Sequence, residues 1–247
     1  QRHGADRLPP FSDGIAMQRM MTRLLALMLL SIGSTATVQA QTWNLASDFS
    51  NTNGGTSPWS YGFYTAGLSP SSFTAFSTYE LRDGNRLATW YRGSNNVDPN
   101  IQKNVTTSAY LQPGTGITFN PGEVTFGPFL GPTVARWTAI QGGVFNISAM
   151  FQTVQTQNLA PNAYVYGNTQ QWFSQTVTST GVSWSSAGPV TLAANEWIDF
   201  VVWGNNHENK TTQVQATITA VPEPGAFVLV VTGLLGLGAA ARRRQRV

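Results

Sequence analysis

Trp197, Asp199 and Trp203 share one face if residues 197–203 are extended, because side chains alternate along a strand; Ile198, Phe200 and Val202 then take the other face. Two indoles flanking a carboxylate suit a sugar, since an aromatic ring stacks on the apolar face of a pyranose while the carboxylate accepts its hydroxyls. The same residues have a structural alternative, in which this face packs under a loop and Asp199 caps a turn or pairs with Arg136. In the following loop, residues 204–210, Asn205, Asn206, Glu208 and Asn209 offer the hard oxygen donors that calcium prefers. One acidic group among them makes a weak calcium site, and a solvated connection is the alternative. His207 has no second histidine and no cysteine nearby, so a transition-metal site is not expected.

Catalysis has fewer candidates. Glu80 with Asp83, and Glu196 with Asp199, are the only close carboxylate pairs. Glycoside hydrolysis needs two carboxyls about 5 to 10 Å apart across a cleft, which spacing in sequence does not establish. Gly-x-Ser-x-Gly, His-Glu-x-x-His and a phosphate loop are all missing. The expectation is a protein that is not an enzyme and carries no cofactor.

The elements that would position these residues are strands. Residues 144–154 alternate, with Phe145, Ile147, Ala149 and Phe151 on one face and Asn146, Ser148 and Gln152 on the other. Residues 214–220 do the same, Val214, Ala216, Ile218 and Ala220 against Gln215, Thr217 and Thr219. Both read as half-buried strands of antiparallel sheets. Shorter candidates are 43–49, 59–64, 76–81, 87–91, 134–139, 163–166, 172–177, 190–192 and 197–203, separated by Gly and Asn clusters that mark turns. No 3.6-residue pattern intervenes, so the fold class is all-β, a β-sandwich or jelly roll; a β-helix lacks the fixed repeat it would need.

Charge must be counted without the two ends. The whole chain carries a formal +3, but between residues 41 and 221 there are six Lys plus Arg (Arg82, Arg86, Arg92, Lys103, Arg136, Lys210) against eight Asp plus Glu (Asp48, Glu80, Asp83, Asp98, Glu123, Glu196, Asp199, Glu208), a net of −2. Such a segment offers no basic patch, so nucleic acid is not an expected partner. It holds all eight tryptophans, which gives it ample apolar area to bury, and there is no cysteine, so packing rather than disulfides must stabilise it.

The ends read as targeting segments. Residues 17–40 combine Arg19 and Arg23, an apolar stretch 24–32 and Val38-Gln39-Ala40 before Gln41, the pattern of a secretory signal peptide cut between Ala40 and Gln41. Residues 1–16 are polar and fit no such pattern; they are expected to be an upstream translation artefact, with synthesis starting at Met17, Met20 or Met21. At the other end, Pro222 and Pro224 hold the chain extended around Glu223. Residues 226–241 carry no charge and read as a single transmembrane helix, slightly short of the roughly 20 residues usual for a span. Arg242, Arg243, Arg244 and Arg246 follow and would keep that end cytoplasmic, as a stop-transfer signal.

Val221-Pro222-Glu223-Pro224, the short Gly- and Leu-rich helix and the arginine-rich end resemble the PEP-CTERM sorting signal of exported bacterial proteins. The resemblance implies that Pro222, Glu223 and Pro224 are recognised, with cutting nearby, by the integral-membrane enzyme exosortase. The alternative is an ordinary single-pass anchor whose prolines merely end the preceding domain. A second resemblance covers about residues 44–220. Arg136-Trp137-Thr138-Ala139, residues 143–151, residues 191–202 and Ala216-Thr217-Ile218 follow the order of a domain found ahead of such tails, which looks like a carbohydrate-binding jelly roll. Where that domain usually has His-Pro-Gly, this chain has Asn120-Pro121-Gly122, so no role of the histidine carries over.

Together these features imply an exported β-sandwich of residues 41–220, followed by a sorting signal at 221–247. It would be delivered by the general secretion machinery, held in the membrane by its C-terminal helix until exosortase acts, and released to the cell surface or extracellular matrix to bind polysaccharide there without catalysis. A secreted glycan-degrading enzyme and a purely structural exopolysaccharide-matrix protein are the alternatives.

Overall fold

The structure is a computed structural model that describes residues 40–54, 57–93, 99–155, 160–204 and 211–222. Most of the signal segment, Asn205, Asn206, His207, Glu208 and Asn209, and everything from Glu223 onward lie outside the described residues. So do Pro224, the apolar run 226–241 and the arginines that follow it.

The described residues form strands β1 (Thr42–Asn44), β2 (Trp59–Tyr64), β3 (Phe73–Ala75), β4 (Thr78–Arg82), β5 (Leu87–Tyr91), β6 (Asn100–Asn104), β7 (Tyr110–Leu111), β8 (Thr118–Phe119) and β9 (Val124–Gly127). There follow β10 (Thr133–Thr138), β11 (Gly143–Thr153), β12 (Asn162–Gly167), β13 (Gln170–Thr176), β14 (Val182–Ser185), β15 (Val190–Leu192), β16 (Trp197–Trp203) and β17 (Thr212–Ala220). One sheet runs β14-β11-β17-β9-β6-β5-β4, with β1 added on β17 and β15 on β11; the other runs β13-β12-β16-β10-β2-β3. β7 and β8 pair as a separate hairpin. Every pairing is antiparallel, and among the described residues the only helix is a single 3-10 turn, Pro70–Ser72. This is an all-β sandwich, as the alternation implies.

The core sits where the two inner faces meet. Phe145, Ile147, Ala149 and Phe151 of β11 and Val214, Ala216 and Ile218 of β17 are buried. Across from them lie Ala135 and Trp137 of β10, Ile198, Phe200 and Val202 of β16, and Ala163 and Val165 of β12. A one-residue slip would turn any of these sets out to solvent, so the pattern fixes the register. Trp137 is the centre of an aromatic knot, edge-on to Trp43 at 5.1 Å and to Phe145 at 5.2 Å. Each such buried side chain contributes about 1.5 to 3 kcal/mol, and no disulfide is needed beside them.

Several boundaries differ from the sequence reading, most of them by one or two residues, and two of the differences have a visible local cause. The strand expected over 43–49 stops at Asn44, because Asn44 Oδ1 accepts the backbone N–H groups of Ala46 and Ser47 while Asp48 Oδ2 accepts that of Asn44, at 2.8 to 3.1 Å. These local bonds turn the chain instead of extending it. The strand expected over 76–81 begins two residues later, since the Phe76 N–H donates to the Tyr61 carbonyl and its side chain goes into the core. β3, β6 to β9 and β14 were not legible at all: they are short, and β6 carries Gln102, Lys103 and Asn104 in place of an apolar run.

Candidate functional site

β16 lies inside the second sheet between β10 and β12, which sets Arg136 and Tyr166 beside Asp199 and Val134 and Tyr164 beside Val201. Asp199 is 0% exposed. Its two oxygens accept from Arg136 Nε and Nη2, both at 2.7 Å, and from the Tyr64 hydroxyl, also at 2.7 Å. Burial pushes the Asp199 carboxyl above its ordinary range, against the downward pull of the Arg136 guanidinium and the Tyr64 hydroxyl. The guanidinium is itself sandwiched between the rings of Phe73, 4.2 Å away, and Trp197, 4.5 Å away, and donates a further bond of 2.8 Å to the Pro70 carbonyl. Val201 is buried with Tyr64, Val134 and Tyr166 under Leu68 and Phe73.

The expected face of two indoles around an open carboxylate is therefore corrected. It packs under the segment around Leu68 to Phe73, and Asp199 pairs with Arg136. Trp197 and Trp203 stand at opposite ends of the strand, roughly 20 Å apart at the rise of an extended chain, so they cannot line one sugar subsite. Each is half-buried.

The other acids also have structural partners. Glu196 accepts from Asn168 Nδ2 at 3.0 Å and from the Ala193 N–H at 2.7 Å, which fixes the turn leading into β16. Glu80 pairs with Arg82, and Asp83 accepts from Gln112 Nε2 at 3.2 Å. Among the described residues no three His, Cys, Asp or Glu cluster as metal ligands would.

A different site lies at the edge of the sandwich formed by β13 and β14. β13 ends one sheet and β14 the other, and each brings a tryptophan to that edge. Trp172 owes its direction to a β-bulge: Val165 pairs with Phe173 and Tyr166 with Gln171, which leaves Trp172 as the extra residue. Strict alternation would turn Trp172 away from the core, but the bulge swings it to the same side as Phe173. There its indole lies over Gly167, where a Cβ would overlap the ring. Trp184, paired opposite the small Ala149, points inward from β14. The two indoles stack at 6.2 Å and 24°, and the series continues inward from Trp184 to Phe173 at 6.3 Å and from Phe173 to Phe151 at 6.1 Å.

Two recesses open beside this pair. One, about 540 Å³, is lined by Gln170, Gln171, Trp172, Trp184, Ser185 and the 186–190 connection. The other, about 360 Å³, lies against β14, β11 and β17, where Ser183, Ser185, Ser148, Met150, Gln215 and Thr217 meet Trp184. The recesses share Trp184 and Ser185, so they adjoin at the β14 edge, and the two together are called the groove. Half-buried indoles beside primary amides and hydroxyls give flat apolar contact together with donors and acceptors. That is what a sugar ring, with its apolar faces and hydroxyl rim, requires.

Sequence reasoning missed this groove. Trp172 fell within an expected strand, but the bulge that re-aims it leaves no mark in a period-two pattern, and Val182–Ser185 was not read as a strand although Val-Ser-Trp-Ser alternates. The usable signal was local: Gln170-Gln171-Trp172 and Ser183-Trp184-Ser185-Ser186 each set a tryptophan among amides or hydroxyls in a stretch without charge.

No protein-family model matches the chain, and no curated protein matches it. Among solved structures it is similar to a CBM36 domain of a multidomain xylanase from the hindgut metagenome of Trinervitermes trinervoides. That match has 10% identity over 51% of this chain and 98% of that one, with a TM-score of 0.31. It is similar to a CBM35 from Paenibacillus barcinonensis, with 15% identity over 54% and 98% and a TM-score of 0.25. The N-terminal cellulose-binding domain of Cellulomonas fimi β-1,4-glucanase C shares 11% identity over 47% and 89%, with a TM-score of 0.27. Likeness this loose assigns neither a fold family nor a ligand.

Proposed function

We propose that this protein is an exported, non-catalytic β-sandwich that binds extracellular polysaccharide through the groove at Trp172 and Trp184, and that its C-terminal PEP-CTERM signal sorts it to the cell surface or matrix. The observation that carries the binding role is the stacked indole pair held half-open at the sandwich edge among Gln170, Gln171, Ser183 and Ser185. The non-catalytic reading is supported by the acids themselves, since Asp199, Glu196 and Glu80 are committed to Arg136, Asn168 and Arg82.

Export is supported by how the described residues next to the two expected processing points are paired. β1 pairs with β17, the Ala220 N–H donates to the Gln41 carbonyl at 2.8 Å, and the Val221 N–H donates to the Val144 carbonyl at 2.8 Å. Among the described residues the first and last of these bonds are made by Gln41 and Val221, and Ala40, Gln41 and Pro222 are all exposed. Both expected processing points therefore adjoin the sheet without interrupting it. The secretion machinery would cut after Ala40, and exosortase would act near Pro222-Glu223-Pro224 while the apolar run holds the precursor in the membrane.

Co-sedimentation with extracellular polysaccharide from the producing cells tests the binding role. Wild type should pellet with the polymer and release no reducing ends. Trp172→Ala and Trp184→Ala should each weaken pelleting on the order of tenfold, because an aromatic stack contributes about 1 kcal/mol or more and 1.4 kcal/mol is a factor of ten. Melting temperature controls for folding, with Trp184→Phe as the variant that keeps an aromatic ring in place. Equal pelleting of wild type and both alanine variants would point to a structural matrix protein instead.

A further inference from the structure

The described residues that line the groove carry no charge. Residues 137–195 and 211–222 contain no Asp, Glu, Lys, Arg or His. β11 to β15 and β17 come entirely from these two runs, and so does every residue lining either recess. An ordinary protein surface is roughly a quarter to a third charged, which keeps it soluble. Here the outer face of β14, β11 and β17 is exposed or half-exposed, yet apart from Val144 and Met150 it is built from hydroxyls and amides. Ser185, Ser148 and Thr217 stand in one cross-strand row, and Ser183, Met150 and Gln215 in the next. Glu196, at the turn into β16, has one oxygen bonded to Asn168 and the other to the Ala193 N–H, and Arg136 and Asp199 neutralise each other.

From this we infer that the groove takes an uncharged polysaccharide and excludes acidic ones; the inference rests on the glycan-binding reading above. A uronate or sulfate entering the groove would shed water from its charge with no cation among the described lining residues to receive it, and a charged group moved out of water without a partner is strongly disfavoured. A neutral chain exchanges hydroxyl–water bonds for hydroxyl–amide and hydroxyl–hydroxyl bonds and keeps its stacking on Trp172 and Trp184. Discrimination therefore comes from a missing charge, over a surface wide enough that no single substitution would explain it.

Affinity electrophoresis of the mature protein through gels containing either neutral polymers (dextran, β-glucan, galactomannan) or acidic ones (alginate, hyaluronan), at low and high salt, tests this. The expected result is retardation by at least one neutral polymer, unchanged by salt and weakened about fivefold or more in Trp172→Ala. Should Trp172→Ala fail to fold, Gln170→Ala with Gln171→Ala, both exposed, reports groove dependence in its place. Retardation by alginate or hyaluronan alone, dependent on Trp172, would overturn the neutral assignment and leave the glycan reading standing. No groove-dependent retardation by either class would overturn both. A dimer in solution that Trp172→Ala converts to monomer would show that a second copy of the chain covers this face, and would also overturn the inference.

Discussion

Asp199 shows how a residue type suited to one chemistry is spent on another. A carboxylate beside two indoles could receive a sugar, but its environment decides its role: fully buried, doubly bonded to Arg136 and capped by Tyr64, it has nothing left to offer a ligand. Removing one partner of such a pair strands the other charge. Asp199→Ala should therefore lower stability by about 3 kcal/mol or more, read as a drop in melting temperature, while the double change Asp199→Leu with Arg136→Met recovers much of the loss. Polysaccharide affinity of the folded double variant should equal that of wild type; a large loss would return Asp199 to the binding site. The sequence named Arg136 as a possible partner for Asp199, because a lone buried carboxylate in a strand needs a cation. It could not name Tyr64, which lies 135 residues away in the chain.

Strands show the same division between what local pattern reveals and what pairing adds. β5, β15 and β16 were legible to the residue and β11 and β17 nearly so, since long alternation or a compact apolar run survives without knowledge of neighbours. β6 and β9 were not, because Gln102 and Thr125 are buried side by side through pairing with each other, and polar residues advertise no such burial. The bulge in β13 belongs to this second class. It exists only relative to β12, and it works because Gly167 leaves room for the indole that the extra residue swings inward. Gly167→Ala should push Trp172 out of its stack on Trp184. Tryptophan fluorescence should then shift to longer wavelength, and polysaccharide binding should fall about as far as in Trp172→Ala, although the altered residue lines neither recess. Unchanged binding in a folded Gly167→Ala protein would mean that the position of Trp172 does not matter to the ligand.

At the scale of the whole molecule, the first and last described strands, β1 and β17, and the charged segments belong to the same sheet. Arg82, Asp83, Arg86 and Lys103 lie on or beside β4 to β6 at one end of it, while β14, β11 and β17 at the other are uncharged, so solubility and ligand contact fall to different parts of one surface. Overall composition hid this partition, because a total averages over it; only the strand order shows that uncharged segments are neighbours in space. β1, paired on β17, ties the beginning of the domain to its end and sets a limit on processing. Trp43 packs edge-on against Trp137 and Leu45 is fully buried, so a cut beyond Leu45 would remove both from the core. The mature protein should therefore begin at Gln41 and end within a few residues of Pro222, as intact mass from fractionated cells would report. A fragment of residues 41–222 should fold, whereas one of residues 46–222 should be less stable by about 3 kcal/mol or more, the usual loss for deleting large buried side chains. Equal melting temperatures for the two fragments would show that β1 is dispensable and that the fold places no such limit on where the leader is cut.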